Sequence, residues 1–499
     1  MRNLLRRWAP VALLPLALSA NATTSLSPTP CRIEGLRHEA LCGSVKRALD
    51  PARAEGPQIE LHYVVIPATA RRKAPDPVFF LAGGPGQSAI ALAPDLANLF
   101  SRLSNRRDLV FVDQRGTGRS APLLCDSESE RLPLARRIDL AEGIRRLEDC
   151  RARLQKLPHG DLRQYTTTIA MADLDAVRAA LGAERINLVG GSYGTRAGLE
   201  YLRLFPQQVR RLVLDGVAPP DMALPLVMAE DAQAALDATL AACASDAACK
   251  ARHPDLGQRF KARLDALPQS AVVTDPVNGV SSSLTMTREA LLSALRGPLY
   301  APALAAALPE ALGAAASARY EPLFGLASVG QGSAATRLAE GQHFSVICAE
   351  DWPQVEGAAA KPAAAPPSMI GDAFLQPYRA LCAQWPRGAV APAFYTVAPS
   401  PVPVLLLSGG LDPVTPPRHG ERMAKALGAN ARHVVVPAAG HGLMAQGCTR
   451  DLLHRFIDDE SSAAALDLDA SCIKRIPPPL PFIPPDPLSP AATTTGAAR

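Results

Sequence analysis

The sequence predicts an α/β chain, a mostly parallel sheet with helices on both faces, interrupted by a mainly helical insertion. Three observations carry this. Short, largely apolar runs recur at 77–82, 108–113, 186–189 and 402–407, and 209–214 supplies a further strand, as expected of strands covered on both faces. Helical patterns separate several of them, and strand, helix, strand in repetition implies right-handed parallel crossovers. From about 219 to 400 the pattern changes to alanine-rich helical sequence punctuated by proline, with little strand signal, and after 400 the strands resume.

In chain order, Arg2, Arg6 and Arg7 precede an apolar run at 8–18, and Ala20-Asn21-Ala22 offers a small-residue cleavage site. This reads as a secretory signal peptide over 1–22. An uncleaved anchor helix is disfavoured, because the run is shorter than the roughly 20 residues of a membrane span and contains Pro15. Residues 59–66 partly alternate in polarity and predict a half-exposed strand. The stretch 169–181 puts Ile169, Leu174, Val177 and Leu181 near one helix face and leads into the strand at 186–189. Further on, a helix is expected near 418–427, a strand at 433–436 and a last helix at 449–457. The implied organisation is a first core part over 23–218, an inserted cap over 219–400, a second core part over 401–475 and a Pro/Ala-rich tail over 476–499. That tail is expected to be mobile beyond its first residues.

Composition narrows the class. Among 499 residues, Lys plus Arg is 52 against 47 Asp plus Glu, a net charge of +5. The two signs are mixed along 131–156 and not clustered, which argues against a nucleic-acid partner. After the leader no stretch reads as a membrane span, since 301–318 is broken by Pro302, Pro309 and Glu310. Ten cysteines behind a leader favour disulfides over a metal site or thiol catalysis. They fall as neighbours: Cys31 with Cys42, Cys125 with Cys150, Cys243 with Cys249, Cys348 with Cys382, Cys448 with Cys472. Spacing leaves the connectivity open, but short loops close most easily and five local staples is the simplest arrangement.

The chemistry centres on Gly190-Gly191-Ser192-Tyr193-Gly194, where an apolar run breaks into a glycine-flanked serine before a helical stretch. The pattern G-x-S-x-G at a strand-to-helix turn exposes the serine hydroxyl on a strained backbone. A serine needs a base in hydrogen-bond reach, itself oriented by a carboxylate. Asp412 lies in a turn just past the strand 402–407, and His441 in the glycine-rich turn Ala438-Ala439-Gly440-His441-Gly442 past 433–436. The order Ser, Asp, His is that of the α/β-hydrolases. His419, outside any glycine loop, reads as a surface residue. Two backbone N–H groups are needed for the oxyanion: Tyr193, after the nucleophile, supplies one, and Ala82-Gly83-Gly84-Pro85-Gly86 the other, with Gly84 preferred and Gly83 second. This chemistry calls for no metal or cofactor. Asp113 to Ser120 lacks the lysine and spacing of a phosphate loop and reads as a structural turn.

With Asp113-Gln114-Arg115-Gly116-Thr117-Gly118-Arg119-Ser120 and Thr195-Arg196 added, these motifs resemble the proline iminopeptidase branch of the α/β-hydrolases, in particular the secreted tripeptidyl aminopeptidases. The segment 407–442 and the late cysteine pairs Cys348/Cys382 and Cys448/Cys472 share the resemblance. One departure is Ala82, where that family's oxyanion loop often opens with histidine. The resemblance implies an α/β-hydrolase fold and a secreted or periplasmic serine exopeptidase whose partner is a peptide with a free amino terminus, with no membrane attachment once the leader is removed. A substrate ammonium calls for a buried carboxylate. Glu350, after Cys348 in an apolar setting, falls where the resembling enzymes carry an acid and is the expected ammonium partner, with Asp351 second. A secreted carboxylic-ester hydrolase using the same triad is the alternative, since a fold does not decide a substrate. A catalytically dead binding module is a third reading, opposed by the complete triad.

Overall fold

The computed structural model describes residues 28–125, 132–329, 337–359 and 368–485. The expected leader, 1–22, and the tail beyond 485 lie outside the described residues. Nine strands form one sheet: β1 (Thr29–Cys31), β2 (Ala40–Ala48), β3 (Gln58–Ile66), β4 (Val78–Leu81), β5 (Leu109–Val112), β6 (Ile186–Gly191), β7 (Val209–Asp215), then β10 (Val404–Gly409) and β11 (Ala431–Val436). β8 (Gln269–Thr274) and β9 (Ser281–Met286) pair separately as an antiparallel hairpin. The sheet order is β1-β2-β3-β5-β4-β6-β7-β10-β11. β1 to β3 are antiparallel and join β5 antiparallel, while every later pairing is parallel.

The apolar runs become strands because they are buried on both sides. Successive side chains alternate across a sheet. Phe79, Leu81, Val404 and Leu406 enter one core with Met171, Leu174 and Val177 of the helix Thr167–Ala180 and Ala197 and Tyr201 of the helix Tyr193–Leu204. Val78, Phe80, Leu405 and Leu407 enter the opposite core with Leu452, Leu453 and Phe456 of the helix Thr449–Asp458. Each such large side chain contributes about 1.5–3 kcal/mol by burial.

Between β7 and β10 the chain is mainly helical. Leu236, Phe260, Leu291, Leu295 and Leu312 of four of its helices form a cluster that also takes in Leu61, Leu123 and Tyr165 of the earlier chain, so this segment is seated on the sheet domain. Three features depart from the sequence reading. The hairpin β8–β9 occupies a stretch with little strand signal, because most of its residues are exposed and serine-rich. β1 and β2 add an antiparallel edge. His419 is buried, with Nε2 3.0 Å from Asp231 Oδ2, because its helix, Pro417–Leu427, docks on the helix Leu224–Ser245. All ten cysteines pair locally, Cys31–Cys42, Cys125–Cys150, Cys243–Cys249, Cys348–Cys382 and Cys448–Cys472.

Candidate active site

β6, β7, β10 and β11 are parallel neighbours, so the turns past them open on one edge, the C-terminal ends of the strands where open α/β sheets place their sites. Ser192 follows β6, Asp412 follows β10 and His441 follows β11. Ser192 has φ 55° and ψ −123°, a conformation that costs a non-glycine residue on the order of 1–3 kcal/mol. Its neighbours hold it there. A Cβ on Gly190 would collide with the Gly194 carbonyl, and one on Gly194 with the Leu81 carbonyl, so the turn closes this tightly only with glycine at both places.

Asp215, at the end of β7, ties the serine turn to the histidine loop. Its carbonyl accepts the Ser192 N–H at 2.8 Å. Its carboxylate accepts the N–H groups of Leu443, at 2.8 and 2.9 Å, and Met444, at 2.9 Å, just past His441. Burial pushes this carboxyl up to about 6, against those two N–H donors and the nearby imidazole. The next residue is Gly216, whose Cβ would stand 3.2 Å from His441 Cε1. In the sequence, an acid closing the apolar run Leu212-Val213-Leu214 is the one signal that points to Asp215.

Asp412 and His441 meet, with Oδ2 2.8 Å from Nδ1. Asp412 Oδ1 accepts the N–H groups of Val414 and Thr415 at 2.9 and 2.8 Å, and Oδ2 accepts the Thr415 hydroxyl at 2.7 Å. Burial works to raise this carboxyl, but the His441 charge and these hydrogen bonds hold it below the usual carboxylate value. An ionised carboxylate can only accept, which puts the imidazole proton on Nδ1 and leaves the Nε2 lone pair for a nucleophile. Burial disfavours the His441 cation, yet Asp412 outweighs it and the imidazole is raised above its ordinary value. The His441 side chain is 14 % exposed and that of Asp412 0 %. Tyr300 clasps the histidine loop from the inserted segment: its carbonyl accepts the His441 N–H at 2.9 Å, and its ring meets the imidazole edge-on with centroids 5.0 Å apart.

Tyr193 opens the helix Tyr193–Leu204, so its N–H has no intrahelical acceptor and is available to an anion. In the loop 82–86, the Gly83 N–H donates to Gln87 Oε1 at 3.1 Å. Gly84 stands at φ 107°, while Gly83 is the loop glycine beside Ser192, a Cβ there standing 3.2 Å from Ser192 Cβ. Asp113 accepts from the Ser88 hydroxyl at 2.6 Å and from the N–H groups of Ile90 and Arg119 at 3.1 and 3.0 Å. Arg115 pairs with Asp173 at 2.6 Å. Their segment braces the start of the helix that follows the loop 82–86.

Glu350 and Asp351 lie on a widened π turn, Ile347–Asp351, and are fully buried. Arg196 Nη1 is 2.8 Å from Asp351 Oδ1 and 3.8 Å from Glu350 Oε2. The Thr167 N–H donates to Glu350 Oε1 at 2.6 Å and the Thr167 hydroxyl to Oε2 at 2.9 Å; that hydroxyl is also 2.7 Å from the Tyr193 hydroxyl. Burial pushes Glu350 up to about 7 and Asp351 to about 6, opposed by the Arg196 charge. In this structure neither acid is open to a substrate ammonium, because Arg196, from the helix that follows Ser192, already fills the cationic place. The sequence reading saw the apolar setting of these acids but not that partner.

Two family models match the chain, that of the α/β hydrolase fold over residues 76–289 and that of TAP-like proteins over 367–472. Serine protease Hip1 of Mycobacterium tuberculosis is 28% identical over 433 residues, covering 80% of this chain and 82% of its own. Carboxylesterase B of the same species is 30% identical over 425 residues, 78% of each chain. The tripeptidyl aminopeptidase of Streptomyces lividans is 34% identical over 195 residues, 36% of this chain and 35% of its own.

Proposed function

Because the chain belongs to the α/β-hydrolase superfamily, in its tripeptidyl-aminopeptidase-like branch, and is a serine hydrolase, we propose that it is a secreted serine peptidase releasing short pieces from the amino ends of peptides through an acyl-enzyme on Ser192. The observation that carries the chemistry is the Asp412–His441 pair at 2.8 Å together with a serine held at φ 55° at the same edge of the sheet. In this reading His441 Nε2 takes the Ser192 proton as Oγ attacks the carbonyl carbon, and Asp412 stabilises the imidazolium that forms. The N–H groups of Tyr193 and Gly84 receive the oxyanion. His441 returns the proton to the departing amine, and water then repeats the sequence on the acyl-enzyme. The inserted segment, 219–400, acts as a cap between the core parts 23–218 and 401–475 and restricts access to short substrates. The TAP-like match and the tripeptidyl aminopeptidase relative support the amino-end preference, and five disulfides support an oxidising compartment.

The relative named carboxylesterase B favours a second reading, hydrolysis of carboxylic esters by the same residues. Labelling of Ser192 by a fluorophosphonate, followed by kcat/KM on peptide arylamides and on short acyl esters, separates the two. Higher values on arylamides with a free amino end are expected; turnover confined to esters would reject the peptidase reading.

A further inference from the structure

The helix Arg288–Tyr300 that clasps the histidine loop carries a second polar group toward it. One turn before Tyr300, Arg296 Nη2 lies 3.4 Å from the Tyr300 hydroxyl, and the guanidinium also interacts with Tyr378. The Tyr378 hydroxyl is 3.0 Å from His343 Nε2, and His343 Nδ1 is 3.0 Å from the Pro85 carbonyl in the oxyanion loop. Arg296 therefore stands between the His441 loop and the Gly84–Pro85 loop, half-buried. Its charge works against protonation of both His441 and His343.

Arg296 differs in its partners from the buried arginines, of which Arg211 donates to the Asp459 and Ser461 carbonyls and three others meet carboxylates. Arg107, Arg115 and Arg196 each meet an aspartate, at 2.9, 2.6 and 2.8 Å. Among the described residues Arg296 has no carboxylate partner; the groups around it are two phenols and two imidazoles. A guanidinium cannot shed its charge, and a partly desolvated cation without an anion is costly. Tyr300 accepts from Arg296 through its oxygen, which leaves its phenolic proton to donate onward, and burial keeps Tyr378 protonated by raising it. His343 gives its Nδ1–H to the Pro85 carbonyl, so its Nε2 accepts the Tyr378 proton; the guanidinium of Arg296 and the Tyr300 hydroxyl are the donors left beside the triad without a carboxylate to share.

We propose that Arg296 is a specificity-determining residue that receives a carboxylate carried by the substrate, with the Tyr300 hydroxyl as second donor and Tyr378, tied to His343, holding the guanidinium in place. The proposal rests on Ser192 as nucleophile and deepens the peptidase reading: the preferred peptides carry an acid within reach of the scissile bond. A free carboxyl terminus of a short peptide and an Asp or Glu side chain offer the same chemistry, and the substrates below distinguish them.

The test compares matched short peptides, cleavage being read by mass spectrometry: one pair ends in a free acid or a carboxamide, the other places Asp or Asn beside the scissile bond. For the wild type, kcat/KM is expected to favour the acidic member of at least one pair by about 10- to 100-fold, the range of a charge-assisted hydrogen bond. In Arg296→Gln that ratio falls toward 1, while Arg296→Lys, which keeps the charge but not the fork, retains part of it. No preference in the wild type overturns the proposal, as does a preference that survives in Arg296→Gln. Should Arg296→Gln fail to fold, the wild-type ratio and the partial loss in Arg296→Lys decide. If no peptide is cleaved although Ser192 takes the fluorophosphonate, the peptidase reading fails separately. The monoester of a dicarboxylic acid against its diester then decides Arg296 by the same ratio.

Discussion

Two carboxylates on either side of the Ser192 turn are held in nearly the same way. Asp412 accepts the N–H and the hydroxyl of Thr415; Glu350 accepts the N–H and the hydroxyl of Thr167. Their cationic partners differ. Asp412 faces an imidazole that keeps an open side, whereas Glu350 and Asp351 face Arg196 in a sealed interior. An imidazole gives up its proton near neutral pH and a guanidinium does not. A buried acid joins a proton transfer only when its partner titrates and can be reached; beside a sealed arginine the same acid is scaffold.

The largest effect expected on the open side is that of Ser192→Ala, which lowers kcat on the order of 10⁴ to 10⁶. Adding His441→Ala lowers it hardly further, because the residues act as one unit. Turnover near the wild-type level in Ser192→Ala, read in steady state, would place the chemistry elsewhere. Asp412→Asn comes next, with a loss of about 10⁴ in kcat, and it also moves the pH profile. His441 must be neutral to act as base, so kcat/KM rises with pH through its elevated value and is lost below it. The variant removes the cause that raises the imidazole, and the acidic limb shifts to lower pH. An unshifted limb would assign that limb to another group.

On the sealed side the expected effects are on stability. Arg196→Met leaves two buried carboxylates without a cation and costs about 3–5 kcal/mol, measurable by urea unfolding. Burial raises both acids, so the native state holds more protons than the unfolded chain between the ordinary carboxylate range and about 7. The contribution of this pair to stability therefore falls as pH rises through that window. The variant loses the charge that opposes the shift, and the fall extends to higher pH. A pH-independent loss would mean that the two acids do not carry it.

The contrast also marks what could be read from the chain. Strands such as Val78–Leu81 and Val404–Gly409 are apolar on both faces and announce themselves, and the turns beyond them carried Ser192, Asp412 and His441. β2, with the sequence Ala40-Leu41-Cys42-Gly43-Ser44-Val45-Lys46-Arg47-Ala48, is mostly half-exposed and takes its strand character from pairing with β3, which no local pattern shows. The acids of the π turn were visible, but their partner Arg196 lies 155 residues away. The same distance problem hides Asp215, which acts on the histidine loop 228 residues later, and Arg296, whose place beside His441 depends on how the inserted segment docks.

The smallest expected effect is that of Glu350→Gln, and it bears most directly on the division between the two clusters. The amide keeps the shape and an oxygen to accept the Thr167 N–H, while its NH₂ meets the Thr167 hydroxyl oxygen, which then turns its proton toward Tyr193. Arg196 keeps Asp351 at 2.8 Å and loses only the more distant acid at 3.8 Å. The loss is that of about one neutral hydrogen bond, under about 10-fold in kcat/KM. Because Glu350 is sealed from substrate, free-amino and N-acetylated peptides are expected to lose alike, measured side by side on the same leaving group. A loss confined to free-amino peptides would mean that the sealed cluster opens to receive a substrate ammonium. The two carboxylates would then be alternative faces of one working site, and Glu350 would recover the role that its place after Cys348 first suggested.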